Sequence, residues 1–310
     1  MSIIGIGEVL WDVYDGEKYI GGAPANFVCD LVQLGHQAHI VSRVGKDRPG
    51  EELISALRLR GAVTDYIQTD SYKPTGRVLI KLKKGAIPTF TCIRDVAFDY
   101  MTMTPQLELI AKKSSVVLFG SLAQRNAASQ SVIYSFLDTS PGKIKIFDAN
   151  FRGRKLPEKK MVESSLQRAT VLKTDKREWR ILKKVLEKQN MSNGGMFQYL
   201  VERFNLRYVC VSLGRGGCVI STGKEYVYMP GIKITAVDTV GAGDAFAAGF
   251  VDAVLRNDEL PMIAIWANAI GALVASMNGA SPCFTKKDIQ KFLDDHQDRV
   301  SIKKYKILEF

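Results

Sequence analysis

The chain has 310 residues, 46% hydrophobic and 24% charged, and 43 Lys and Arg against 32 Asp and Glu give a formal net charge of +11. That length suits one large α/β domain with a small appendage, and the composition is ordinary for a soluble globular protein. The longest nearly apolar stretch, 263–275, is interrupted by Asn268 and is too short to span a bilayer.

In chain order, Ser2-Ile3-Ile4-Gly5-Ile6-Gly7 has no basic segment before it and reads as a first strand, not a signal peptide. Short β-rich runs at 3–6, 39–43, 116–119, 144–147, 171–173 and 208–212 alternate with helical patterns that include 25–34, 50–60, 128–137 and 196–204. The alternation predicts a mainly parallel sheet with helices on both faces, where ligands bind beyond the carboxyl ends of the strands. Two segments break the rhythm, at about 11–20 and 76–101. Both read as β-ribbons in a small antiparallel sheet outside the main one, either a flap over an active site or an ordinary edge extension. Nothing resembling a linker divides residues 1–310, so a single domain with inserted lid strands is expected.

The basic clusters at 152–160, 173–188 and 303–306 are separate and read mostly as solvated helix faces. A nucleic-acid surface is therefore disfavoured. The five cysteines (Cys29, Cys92, Cys210, Cys218, Cys283) show no metal-ligand spacing and read as reduced, buried thiols in a cytosolic protein.

The most informative stretch is Val237-Asp238-Thr239-Val240-Gly241-Ala242-Gly243-Asp244-Ala245-Phe246. A glycine-rich turn precedes an apolar helical run, and free N–H groups at a helix start suit an anion. Asp244 among those amides either caps its helix or takes a proton from a hydroxyl while the amides hold negative charge, as phosphoryl transfer to an alcohol requires. Gly21-Gly22-Ala23-Pro24-Ala25-Asn26 opens the first long helix and offers close backbone approach plus an amide suited to a polyol. Asp12 could accept from two hydroxyls. Ser212-Leu213-Gly214-Arg215-Gly216-Gly217 is a second glycine-rich bend, suited to phosphate and equally to a plain hairpin. The P-loop, protein-kinase catalytic loop, HExxH pair and G-x-S-x-G elbow are all missing.

Taken together, and in this order, the motifs resemble the ribokinase-like (phosphofructokinase-B) carbohydrate kinases over nearly the whole chain. Asp148-Ala149-Asn150-Phe151-Arg152, Asn268-Ala269-Ile270-Gly271-Ala272 and Gly279-Ala280-Ser281-Pro282 complete the likeness. The resemblance implies a three-layer α/β/α domain with a mainly parallel central sheet and a small β-sheet lid. It makes Asp244 the catalytic base and the Gly241, Ala242 and Gly243 amides the anion hole. Asp12, Gly22 and Asn26 would hold the sugar, and Arg152 phosphate or substrate. ATP would lie on Ser212, Gly214, Gly217, Gly243 and Asn268. A monovalent cation, K⁺, would match Asp238 and the carbonyls of Val240, Val274, Met277 and Gly279, although Cys283 stands where a hydroxyl can occur. The family's N-x-x-E is here Asp175-Lys176-Arg177-Glu178. Mg²⁺ dependence is expected with Glu178 acting through water and Asp175 near ATP.

Gly7-Glu8-Val9-Leu10-Trp11-Asp12, Ala97-Phe98-Asp99 and Phe119-Gly120-Ser121-Leu122-Ala123-Gln124-Arg125 look like bacterial fructokinases. On that likeness Gln124 joins the sugar site, while Phe90 and Phe98 either cover the sugar's apolar face or form lid core. Only Arg94 and Arg125 could serve a sugar phosphate, so a neutral hexose is expected: D-fructose, phosphorylated at the 6-hydroxyl. Ribose, 2-keto-3-deoxygluconate or a nucleoside are alternative acceptors, and a sugar sensor without turnover is a further reading. Relatives often dimerise through the lid, and a homodimer through the strands at 76–93 is the corresponding expectation.

Overall fold

The computed structural model describes residues 2–83, 87–153 and 155–296, with the side chains of 81–90 outside the description. The chain forms two compact units, Met1–Gly142 with Gly279–Ser281, and Lys143–Asn278 with Pro282–Phe310.

In chain order the first unit contains β1 (Ser2–Ile6), β2 (Leu10–Tyr14), β3 (Glu17–Gly21), α1 (Ala23–Gln33), β4 (Ala38–Gly45) and α2 (Arg48–Leu59). It continues with β5 (Val63–Asp70), β6 (Gly76–Lys83), β7 (Ile87–Cys92), α3 (Pro105–Lys113), β8 (Ser114–Gly120) and α4 (Ala127–Thr139). Strands β8, β1, β4 and β5 lie side by side and all run parallel. Ile3, Ile4 and Ile6 are buried, as are Val116 to Phe119 in β8; a parallel strand covered on both faces needs such a continuous apolar run. Helix starts are set by local chemistry. Asp47 caps α2 by accepting from the Gly50 amide at 2.8 Å, Thr104 caps α3, and Asn126 caps α4.

The ribbons that interrupt the alternation form a separate four-stranded sheet in the order β3-β2-β6-β7. It is mixed, not antiparallel as expected. The hairpins β2–β3 and β6–β7 are antiparallel, but β2 and β6 pair parallel, from Leu10 opposite Gly76 to Tyr14 opposite Ile80. The long connection through β4, α2 and β5 permits this, because it returns the chain to the same end of the sheet.

The second unit contains β9 (Ile144–Asp148), α5 (Lys159–Arg168), β10 (Val171–Asp175), α6 (Lys176–Val185), α7 (Asn193–Phe204) and β11 (Tyr208–Ser212). After these come β12 (Cys218–Ser221), β13 (Tyr226–Met229), α8 (Ala242–Leu255), α9 (Leu260–Ala275) and α10 (Lys286–Asp294). Strands β9, β10 and β11 are parallel, while β11–β12 and β12–β13 are antiparallel. Helices α8 and α9 pack on each other, with α8 buried from Ala245 to Val254. Of the thiols, Cys29, Cys210 and Cys218 are buried, as expected; Cys92 is only half-buried and Cys283 is exposed. Burial pushes the Cys218 thiol up to about 12, so it is an inert core group. Among the described residues, no helix is long and apolar enough to cross a membrane.

Three strands absent from the sequence reading are β5, β12 and β13. The first is polar along its length (Val63-Thr64-Asp65-Tyr66-Ile67-Gln68-Thr69-Asp70). It bonds only to β4 and so tolerates charge on its outer side. The other two are four residues each, and a glycine lies at the open end of their hairpin, before β12 and against the chain leaving β13. Gly217 has φ +90°, and a Cβ there would collide with the Met229 carbonyl and Gly231 N. Gly214 also has positive φ (+56°) but nothing lies within 4 Å of its missing side chain. Gly217→Ala is therefore expected to cost at least about 3 kcal/mol and Gly214→Ala about 1 kcal/mol, a contrast that chemical denaturation measures directly.

Candidate active site

Helix α8 starts at Gly241, whose φ of +79° makes it the N-cap, and no side chain caps the helix. Asp244 is the third residue of the first turn; its amide reaches the Gly241 carbonyl at 2.9 Å. The carboxylate is therefore not the cap that its position alone allowed. Residues 241–244 are all half-buried, within reach of a ligand, whereas α8 from Ala245 onward is core. The acid and the glycine-rich turn thus occupy the one accessible turn of an otherwise buried helix.

Beneath this turn lies a charge cluster. Lys173 and Asp148 are directly paired across parallel β10 and β9. The Lys173 ammonium donates to both Asp148 carboxylate oxygens at 3.0 Å, with Lys173 8% and Asp148 0% exposed. A Cβ on Gly243 would stand only 3.0 Å from Lys173 Nζ. Glycine at this position is what lets the ammonium come up against the first turn of α8. Burial works against the Lys173 charge, but Asp148, then Asp244 and Glu178, outweigh it and hold the amine more firmly protonated than usual. The sequence reading placed 171–173 in a buried strand and also counted Lys173 in a basic cluster read mostly as solvated helix face. In fact it is a buried strand residue, and the available signal was its place inside an apolar β pattern.

At the end of β10, Asp175 caps α6. Its Oδ1 accepts from the Glu178 amide at 2.6 Å, and Glu178 Oε2 accepts from the Asp175 amide at 2.8 Å. This capping box is what Asp-x-x-Glu encodes in place of Asn-x-x-Glu, and its spacing was legible in the sequence. Burial pushes the Glu178 carboxyl up to about 7; Lys173 opposes the rise, and Asp148 and Asp175 add to it.

The residues expected to hold ATP lie in the same unit. Asp175 and Ser212 are register partners on β10 and β11, and Ser212 Oγ donates to the Thr174 carbonyl at 3.4 Å. The Gly214–Gly216 turn and Gly217 follow, with Gly217 against the backbone at 229–231. Asn268, on α9, donates to the Pro230 carbonyl at 3.1 Å, so it meets that same backbone segment. Arg152 stands exposed after β9.

For the cation positions, Asp238 Oδ1 accepts from the Val240 amide at 3.0 Å, the Asp238 amide lies 3.4 Å from the Ala275 carbonyl, and the Val274 carbonyl accepts from Met277 at 3.0 Å. Gly279 groups with the first unit. Among the described residues no cluster of three His, Cys, Asp or Glu could hold a metal ion directly.

In the first unit, Asp12 sits in the middle of β2, opposite Tyr19 and Val78. Its carboxylate fills the space that a side chain on Gly21 would take. Gly22 is the N-cap of α1, and the Asn26 amide donates to its carbonyl at 3.0 Å, with Asn26 buried. Asp12, Gly22 and Asn26 are thus neighbours. Phe98 is 1% exposed, its ring against Gly76 and under the Arg125 guanidinium at 4.8 Å. Arg125 grips Asp99 with two bonds of 2.7 and 2.9 Å and donates to the Ile93 carbonyl at 2.6 Å. Gln124 is buried and donates to the Gly120 carbonyl at 2.8 Å. The side chain of Phe90 lies outside the described residues.

Comparison with known proteins identifies the family and the fold. Residues 5–287 match the pfkB family carbohydrate kinases. An uncharacterized sugar kinase from Pyrococcus horikoshii is 31% identical over 291 residues, 91% of this chain and 89% of that one. Its crystal structure superposes with a TM-score of 0.77. Escherichia coli fructokinase is 26% identical over 286 residues, covering 87% of this chain and 91% of its own. Fructokinase with bound ATP from Xylella fastidiosa is 20% identical and covers 96% of this chain and 99% of its own, with a TM-score of 0.84. The fold is accordingly the ribokinase-like α/β arrangement, a large mainly parallel sheet with helices and a smaller separate sheet. With the glycine-capped α8 and its carboxylate in that fold, the chain belongs to the pfkB family of carbohydrate kinases.

Proposed function

We propose that the protein transfers the γ-phosphoryl group of ATP to the 6-hydroxyl of D-fructose. The observation that carries this reading is Asp244 in an accessible first turn of α8, released from capping by Gly241. In that position the carboxylate takes the proton of the attacking hydroxyl. The Gly241, Ala242 and Gly243 amides receive the phosphoryl oxygens; the Ala242 amide is otherwise held only at 3.4 Å by the Thr239 carbonyl, and the Asp244 amide is taken up by the Gly241 carbonyl. Asp12, Gly22 and Asn26 hold the sugar, and Ser212, Gly214, Gly217 and Asn268 hold ATP.

A neutral acceptor is supported by the first unit's charge pairing. Arg125, a residue that could have met a sugar phosphate, is committed to Asp99 and the Ile93 carbonyl. Buried Phe98 then shapes the pocket wall from behind, by supporting Arg125. Fructose is favoured over other neutral sugars by the fructokinases among the relatives. A coupled ADP-release assay over fructose, ribose, 2-keto-3-deoxygluconate, nucleosides and fructose 6-phosphate should give fructose the highest kcat/KM; a weak response to fructose overturns the choice of sugar. Asp244→Asn should lower kcat by about 10³-fold or more while calorimetric fructose affinity stays within about threefold.

Asp175 and Glu178 fit a magnesium ion held through water. Each carboxylate gives an oxygen to the other's amide, and no direct protein cage exists among the described residues. Mg²⁺ characteristically keeps its waters and takes few protein ligands. Bound with ATP, it would offset phosphate charge. K⁺ at Asp238 and the Val240, Val274, Met277 and Gly279 carbonyls belongs to the same reading. Without metal, the folded chain keeps a proton on Glu178 that the unfolded chain releases between pH 4.5 and about 7. Stability should therefore fall as pH rises through that window, by up to roughly 3 kcal/mol. Glu178→Gln should flatten the slope in denaturation curves taken from pH 4.5 to 7.5.

A further inference from the structure

On the sugar-kinase reading above, we propose that Tyr19 is a further specificity-determining residue, whose ring covers the apolar C–H face of the acceptor while Asp12 takes its hydroxyls. That role is open in the first unit. Phe98, which the sequence offered for it, is 1% exposed beneath the Arg125 guanidinium and presents no surface to a ligand.

The register of the small sheet places Tyr19 instead. Tyr19 and Asp12 are directly opposed across the antiparallel pair β2–β3, so their side chains leave one face as neighbours. Val78, the parallel partner of Asp12 on β6, shares that face and is buried, as does Leu10, two residues before Asp12. The face therefore has a dry apolar centre with a carboxylate beside it. Next to that carboxylate stands Tyr19, 49% exposed. Tyr14 lies on the same face, one further pair toward the hairpin turn.

The opposite face is already occupied. The buried Trp11 donates its indole N–H to the Pro49 carbonyl at 2.9 Å. Lys18 passes 5.9 Å from the centre of the Trp11 ring and reaches Glu52 at 3.0 Å. These contacts fasten the hairpin to the start of α2 and leave the Asp12 face for a ligand.

On that face the Asp12 carboxylate fills the space of the missing Gly21 side chain, and Tyr19 stands two residues before Gly21 on the same strand. A sugar whose hydroxyls reach Asp12 passes its C–H groups over the Tyr19 ring. Among the described residues no hydrogen bond or ring contact engages Tyr19. It is an aromatic left open on an edge strand, where a charged side chain is the usual protection. A sugar lying on it removes apolar surface of both partners from water.

Because Tyr19 is half exposed, its replacement leaves the core intact. Tyr19→Ala should weaken calorimetric affinity for D-fructose about tenfold and raise KM for fructose in parallel. Its kcat should stay within about threefold, with KM for ATP and the melting temperature nearly unchanged. Tyr19→Phe restores the ring and should recover most of the lost affinity. Tyr14→Ala is the control and should bind fructose as the unmodified protein does. Unchanged fructose affinity in Tyr19→Ala would overturn the assignment, as would no recovery in Tyr19→Phe or an equal loss in Tyr14→Ala. A change of mass in sedimentation with sugar affinity intact would also overturn it, making Tyr19 a contact with a second copy of the chain. Should the acceptor panel favour another sugar, the same comparison is made with that sugar. Absence of turnover on every acceptor would instead sink the kinase reading, and the calorimetric comparison would still decide the role of Tyr19.

Discussion

Everything at the second unit's centre depends on a helix that begins without a side-chain cap. A Ser, Thr or Asp at position 241 would satisfy the first amides internally and close the turn to ligands. Gly241 instead adopts the left-handed conformation, so the turn is made by backbone alone. Two consequences follow together. The turn stays within reach of an external anion, with the Ala242 amide held only at 3.4 Å by the Thr239 carbonyl, and the carboxylate three residues on stands in that same half-buried turn. The apolar length of α8 behind it, buried along α9, holds this turn rigidly.

Around that turn the protein concentrates charge that would be unstable if any member stood alone. Lys173 is kept charged in the interior by Asp148, Asp244 and Glu178, while Glu178 is itself driven toward neutrality by burial. Such mutual compensation is sensitive to whatever binds, because an added anion or cation changes the cost of every other charge.

On the proposed function, the first unit solves a different problem. A sugar offers hydroxyls and an apolar face but no charge, so its site needs hydrogen-bonding groups whose own charges are screened or paired. Asp12, Gly22 and Asn26 meet at the end of a strand and the start of a helix, where backbone turns leave space. Arg125 is neutralised by Asp99 and stacked on Phe98, which leaves a firm wall without a free cation. The small mixed sheet, with Asp12 on its strand β2, supplies the platform.

Strand and helix alternation was readable because buried parallel strands must be apolar throughout. Elements such as β1, β8 and β11 fall within two residues of where pattern alone put them. The acid, the glycines and the order of motifs were equally legible, since backbone geometry at a phosphate-sized turn restricts residue type so strongly. Other features were hidden. Polar β5 and the short β12 and β13 owe their existence to partners, not to their own periodicity, and the parallel pairing of β2 with β6 depends on a connection that local sequence does not specify. Lys173 shows the limit most clearly: pattern placed 171–173 in a buried strand, but only the folded sheet pairs this lysine with Asp148. What keeps it charged there is Asp148 on the neighbouring strand, 25 positions earlier in the chain, a pairing set by the register of β9 with β10 and not by local sequence.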